Sequence, residues 1–101
     1  MTDALARVEF EAEIIEWRGP APYLFVQIPD EHFGEIRFAA REVSYGWGVV
    51  PVSVRINGCE FTTALFPRGD AYLLPVKIAV QRAAKVGLGD RVSASVQIYA
   101  R

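Results

Sequence analysis

The sequence has few of the residues that redox, metal or nucleophile chemistry requires. It carries one cysteine and one histidine in 101 residues. A lone cysteine excludes an intrachain disulfide and fits a reducing compartment, so the expected location is cytoplasmic. His32 and Cys59 lie on separate predicted elements and cannot make a ligand set, which needs several donors at workable spacing. An excess of one charge is also missing. Eleven basic residues stand against twelve acidic ones, for a formal net charge of −1. That balance argues against nucleic acid or an anionic membrane as partner. No run approaches the ~20 apolar residues that span a bilayer, and Met1 to Glu9 lacks a signal-peptide core. What is present is apolar: 51% of the residues are hydrophobic, which argues against disorder. One domain over 1–101 is expected.

The apolar residues are spaced mostly for strands. Over 6–17, Ala6, Val8, Phe10, Ala12 and Ile14 alternate with Arg7, Glu9, Glu11 and Glu13, the pattern of a half-buried strand. A turn at Arg18-Gly19-Pro20 leads to a strand over 22–28, with Leu24, Val26 and Ile28 on one face and Tyr23 and Phe25 on the other. Pro29 stops it, and Asp30 is placed to cap a helix over about 31–42. Its core face is Phe33, Ile36, Ala40 and Val43.

Strands are predicted over 49–56 and 59–66, joined by Asn57-Gly58, a type I′ hairpin signature. A short strand over 71–74 follows, and Pro75 opens a second helix over about 76–86. Its predicted core face is Val76, Ala79, Val80 and Ala83, with Gly87 in the left-handed position after it. The last strand buries Val92, Ala94, Val96 and Ile98. The expected total is six main strands and two helices.

The order strand, strand, proline, helix, glycine turn, strand occurs twice. Glu9-Phe10 answers Glu60-Phe61, and Tyr23-Leu24 with Pro29 answers Tyr72-Leu73 with Pro75. Gly46-Trp47-Gly48 answers Gly87-Leu88-Gly89, and Ser53-Val54-Arg55-Ile56 answers Ser95-Val96-Gln97-Ile98. These matches define half-repeats of about 8–57 and 58–100. A half of that size buries too little to fold alone. The expected fold is therefore mainly β, a closed pseudo-twofold β-barrel with two short helices and one shared core.

Trp47-Gly48, Val50-Pro51-Val52, Ile56-Asn57-Gly58, Phe61, Leu65-Phe66-Pro67, Gly69, Tyr72, Leu74-Pro75-Val76, Arg82, Gly89-Asp90 and Val92 resemble the bacterial family called domain of unknown function 1905. The first half follows it more loosely. The resemblance implies a cytoplasmic protein with a double-split β-barrel, and it implies no activity. More distantly, Leu74-Pro75, the second helix and Val86 to Val92 are similar to the barrel half of the AbrB and MazE transcription factors, which build the barrel from two short chains.

No catalytic constellation is visible. His32 carries no ligand spacing and reads as a solvent-facing or structural residue, and Cys59 as a small buried hydrophobe. Glu9, Glu11 and Glu13 read as a solvated strand face paired across to Arg or Lys. The short glycine motifs precede strands, whereas phosphate loops precede helices. The aromatics Trp17, Tyr23, Phe25, Tyr45 and Trp47 do not all fit an inward stripe, and large aromatics are enriched at binding surfaces. Arg68, Lys77, Arg82, Lys85 and Arg91 gather around the second helix.

These residues point to a non-enzymatic module, without cofactor or metal, as monomer or homodimer. It would bind a protein partner or small ligand through Trp17, Tyr45, Trp47, Arg68, Lys77 and Arg82. The alternative is an AbrB- or MazE-like DNA-binding or antitoxin-like regulator, a reading that rests on fold analogy alone.

Overall fold

The computed structural model describes residues 4–17, 23–43 and 48–100. The elements are β1 (Ala4–Glu13), β2 (Ile15–Trp17), β3 (Tyr23–Gln27), α1 (Phe33–Val43), β4 (Val50–Ile56), β5 (Cys59–Arg68), β6 (Ala71–Pro75), α2 (Ile78–Ala84) and β7 (Arg91–Tyr99). The protein is mainly β with two helices, as the alternation predicts. The strands form one antiparallel sheet in the order β1-β7-β4-β5-β6-β3-β2.

The expected first strand is two strands. Ile14 separates β1 from β2, which gives seven strands in place of six. The reason is a change of partner. β1 pairs with β7, and β2 pairs with β3. Between them the Ile14 N–H donates to the Asp90 carbonyl at 2.8 Å, and the Gly89 N–H donates to the Ile14 carbonyl at 2.9 Å. Gly89 has φ +88 there, a conformation that glycine reaches without strain. Because β1 and β2 end the sheet order yet are consecutive in the chain, the sheet curls until its two ends meet at Ile14.

β5 makes a similar exchange without breaking. Up to Leu65 it pairs with β4, and from Phe66 onward it pairs with β6. The turn before it is the predicted one, with Asn57 at φ +47 and Gly58 at φ +86. Asn57 also ties the hairpin to β7: its Oδ1 accepts the Ser93 N–H, and its own N–H donates to the Ser93 carbonyl, both at 3.1 Å.

Inside the curl lies one hydrophobic cluster. It takes Ala6, Val8 and Ile14 from the first strand region and Val50, Val52, Val54 and Ile56 from β4. Val92, Ala94, Val96 and Ile98 come from β7, as the alternation predicts, and Ile36, Ala40 and Val43 from α1, joined by Ala39. Full burial of one such side chain contributes roughly 1.5–3 kcal/mol. α1 packs on β1, β4 and β7, and α2 packs on β5.

The helix ends differ from the sequence reading. Asp30 does not cap α1 with its side chain; Asp30–His32 form a 3-10 turn, and the Pro29 carbonyl accepts the His32 N–H at 3.0 Å. Pro75 belongs to β6, opposite Phe25, so α2 starts at Ile78. Its core contacts are Val80 and Ala84, with Val76 just before it, while Ala79 and Ala83 are exposed. The core side is thus the i, i+4 row Val76, Val80 and Ala84, about one residue round from the predicted face. Lys85, not Gly87, takes the left-handed position at φ +57. That early turn brings Val86 back onto the core. The Gln81 side chain steadies the segment by donating to the Val76 carbonyl at 2.8 Å. The predicted turn at Arg18-Gly19-Pro20 lies outside the described residues, and so does the turn expected over Ser44 to Gly48 except for Gly48 itself, which has φ +88.

Candidate functional site

In an antiparallel ladder, directly opposed residues point to the same face. In the part of the sheet made by β2, β3, β6 and the end of β5, that rule sorts the side chains into two sets. Leu24, Val26, Tyr72 and Leu74 face the core. The other face carries Ile15 opposite Phe25, which is opposite Pro75; Trp17 opposite Tyr23; Gln27 opposite Leu73, which is opposite Phe66; and Ala71 opposite Arg68. This outward face is almost wholly apolar and aromatic.

Phe25 and Leu73 are buried on it although they are not part of the main core. Tyr23 and Phe66 remain 45% and 47% exposed. The Trp17 ring stacks on Tyr23 with centroids 6.3 Å apart, and Tyr23 leans on Phe25 at 5.9 Å. The Arg68 guanidinium lies 3.8 Å from the Trp17 ring centroid. Such a cation–π contact contributes about 0.5–1 kcal/mol at an exposed site.

The row continues into a groove of about 590 Å³ lined by Tyr23, Leu24, Thr63, Ala64, Phe66, Pro75, Val76 and Lys77. Among the described residues Lys77 is its one charged lining residue. The Val76 N–H, which donates to the Leu24 carbonyl at 2.9 Å, holds the start of α2 against β3 and so keeps Lys77 beside Tyr23.

The structure thus brings together Trp17, Arg68 and Lys77 from the predicted surface and adds Tyr23, Phe25 and Phe66. Arg82 is exposed on α2 and does not line the groove. Tyr45 and Trp47 lie outside the described residues. Phe66 was legible as an aromatic on the polar phase of its strand, out of step with Leu65. The place of Thr63 and Ala64 in the groove was not legible, because it depends on the curl.

A second concavity, of about 580 Å³, lies on the outer face of β1, β7, β4 and β5. Its charges are already matched. Arg7 pairs with Glu9 at 3.2 Å, and Arg55 pairs with Glu60. The hydrogen bond and charge of Glu60 hold the Arg55 guanidinium above its ordinary pKa. Nearby, Arg91 meets Glu11 across β7 and β1 at 3.4 Å. Glu9, Glu11 and Glu13 form the solvated strand face expected from the sequence; Glu11 is paired across the sheet as expected, whereas Glu9 pairs along its own strand and Glu13 holds no ion pair among the described residues. By contrast, Arg68, Lys77 and Arg82 hold no ion pair among the described residues.

The remaining candidates are scattered. His32 is half-buried and tilted against Phe10, with ring centroids 6.2 Å apart, which is the structural rather than the solvent-facing of its two expected roles. Cys59 is half-buried, less enclosed than expected, because it opens β5 opposite Ile56 at the hairpin end. Among the described residues no three His, Cys, Asp or Glu side chains are grouped to hold a metal ion, and no helix is long and apolar enough to cross a membrane.

Fold and surface together define a small mainly β protein with a curled antiparallel sheet and an aromatic, cationic outer face. The chain belongs to the family described as domain of unknown function (DUF1905), which it matches over residues 10–96. No curated protein matches it.

Proposed function

We propose that the protein is a non-enzymatic binding module whose working surface is the outward face of β2, β3, β6 and the end of β5. One observation carries this reading: Arg68 stacks on Trp17 at 3.8 Å beside an apolar groove that ends on Lys77. Trp, Tyr and Arg are the residues that most often dominate binding energy. Here they sit together, partly exposed, with cations that no carboxylate neutralises among the described residues. The other concavity offers only compensated charges.

The strand pairing supports placing this face where two half-repeats meet. Exchanging β1–β2 with β5, β3 with β6 and β4 with β7 returns the same sheet order. Tyr23 is exposed and Tyr72 is buried, so the equivalence that preserves faces sets Phe25 against Leu73 and Val26 against Leu74. Trp17, opposite Tyr23, then answers Arg68, opposite Ala71. On this reading the two long strands end in equivalent places, and the side chains that differ there make the cation–π contact.

A screen of small fragments and short peptides, read by backbone amide shifts in ¹⁵N-labelled protein, tests the proposal. Shifts should cluster at Trp17, Tyr23, Phe66 and Lys77. Shifts confined to the β1, β7 and β4 face, or none on the aromatic face, would overturn it.

A further inference from the structure

Granting that binding face, we infer that the groove beside it takes an amphiphilic carboxylate: a molecule with one anionic end and an unbranched or ring-bearing apolar body. Leu24, Ala64, Phe66, Pro75, Val76 and the Tyr23 ring make the lining largely apolar, with hydroxyls at Thr63 and Tyr23. A volume of about 590 Å³ lies within the ~300–1,000 Å³ usual for small-molecule sites.

The charge pattern selects the head group. Among the described residues Lys77 is the single charge in the lining, at the point where β6 gives way to α2. Among the described residues no carboxylate lines the groove and Lys77 holds no ion pair. An ammonium beside apolar surface binds an anion best when the rest of the ligand displaces water around it, since burial strengthens the charge contact. An apolar cation would meet repulsion from Lys77 and from Arg68 beyond Trp17. A fully polar anion would leave Phe66 and Tyr23 wet. One negative charge with an apolar tail satisfies both parts.

Binding is measured by the emission of Trp17, with Trp47→Phe removing the other tryptophan. The probes are octanoate, decanoate, decanol and decyltrimethylammonium, all below their micelle-forming concentrations. Decanoate should bind more tightly than octanoate, because each buried methylene adds up to roughly four-fold in affinity. It should also bind at least ten-fold more tightly than decyltrimethylammonium. Lys77→Gln should weaken decanoate by about ten-fold and leave decanol unchanged, whereas Phe66→Ser should weaken all four probes together.

Equal affinity for the anionic and cationic amphiphiles would overturn the inference, as would no effect of Lys77→Gln. Binding that appears only with micelles or anionic vesicles would overturn it in favour of a membrane surface. If decanoate fails while fragments still cluster on the aromatic face, this inference falls and the binding-module reading stands. If no ligand touches that face, both fall.

Discussion

Trp17 and Arg68 meet across the curled sheet, the guanidinium 3.8 Å from the indole centroid, although 50 residues separate them in the chain. The contact shields one face of the indole. With Trp47→Phe in the background, Arg68→Ala should shift Trp17 emission to the red and increase its quenching by acrylamide. Arg68→Lys should fall between. Stability should change by less than about 1 kcal/mol, the usual size of an exposed cation–π contact. Unchanged emission in Arg68→Ala would place the guanidinium off the ring.

Gly58→Val should destabilise through the backbone alone. Nothing lies within 4 Å of a Cβ built at Gly58, whose φ is +86. The cost is therefore the strain of a β-branched residue in that conformation, about 1–3 kcal/mol. A melting temperature several degrees lower is expected for a domain of this size. A melt within a degree of the parent would contradict the turn.

Ile14→Ala tests the joint where the sheet closes. The Ile14 side chain is fully buried at the break between β1 and β2. Its truncation should cost about 2–5 kcal/mol, as for other large-to-small core changes. A loss below about 1 kcal/mol in a urea titration would mean that the strand ends are not held together there.

Duplex DNA should bind only weakly at physiological salt. Nonspecific affinity comes from Lys and Arg neutralising phosphates, and its logarithm falls by about 0.9 per contact for each decade of salt. Arg68, Lys77, Arg82 and Lys85 offer about four contacts, while Glu9, Glu11 and Glu13 occupy another face. Submicromolar binding that survives physiological salt and is lost in Arg82→Glu would favour the DNA-binding reading.

Much of this architecture was legible because alternation and turn chemistry act locally. Val50, Val52, Val54 and Ile56 are spaced for one face whatever their partners, and Asn57-Gly58 favours its turn by itself. The break at Ile14 was not legible: it follows from β7 giving way to β3 as partner, and the residues concerned lie far along the chain. The helix ends failed for a related reason. Pro75 reads as a helix opener, but its place opposite Phe25 keeps it in the sheet. At the site, Trp17, Arg68 and Lys77 were readable as residues outside the core stripes. Their convergence was not, since it depends on the curl that also brings Phe66 beside Tyr23.

The most direct test compares two double variants with the parent, each titrated with the ligand that gives the strongest shifts in the fragment and peptide screen. Trp17→Ala with Tyr23→Ala strips the aromatic face, and Arg7→Ala with Tyr99→Ala strips the polar concavity. Truncating a central aromatic pair commonly costs more than about 2 kcal/mol, roughly thirty-fold in affinity. The account predicts a loss of at least ten-fold in the first variant and a change within two-fold in the second, with both still folded by circular dichroism. Equal affinity in the first variant, or a loss confined to the second, would contradict it.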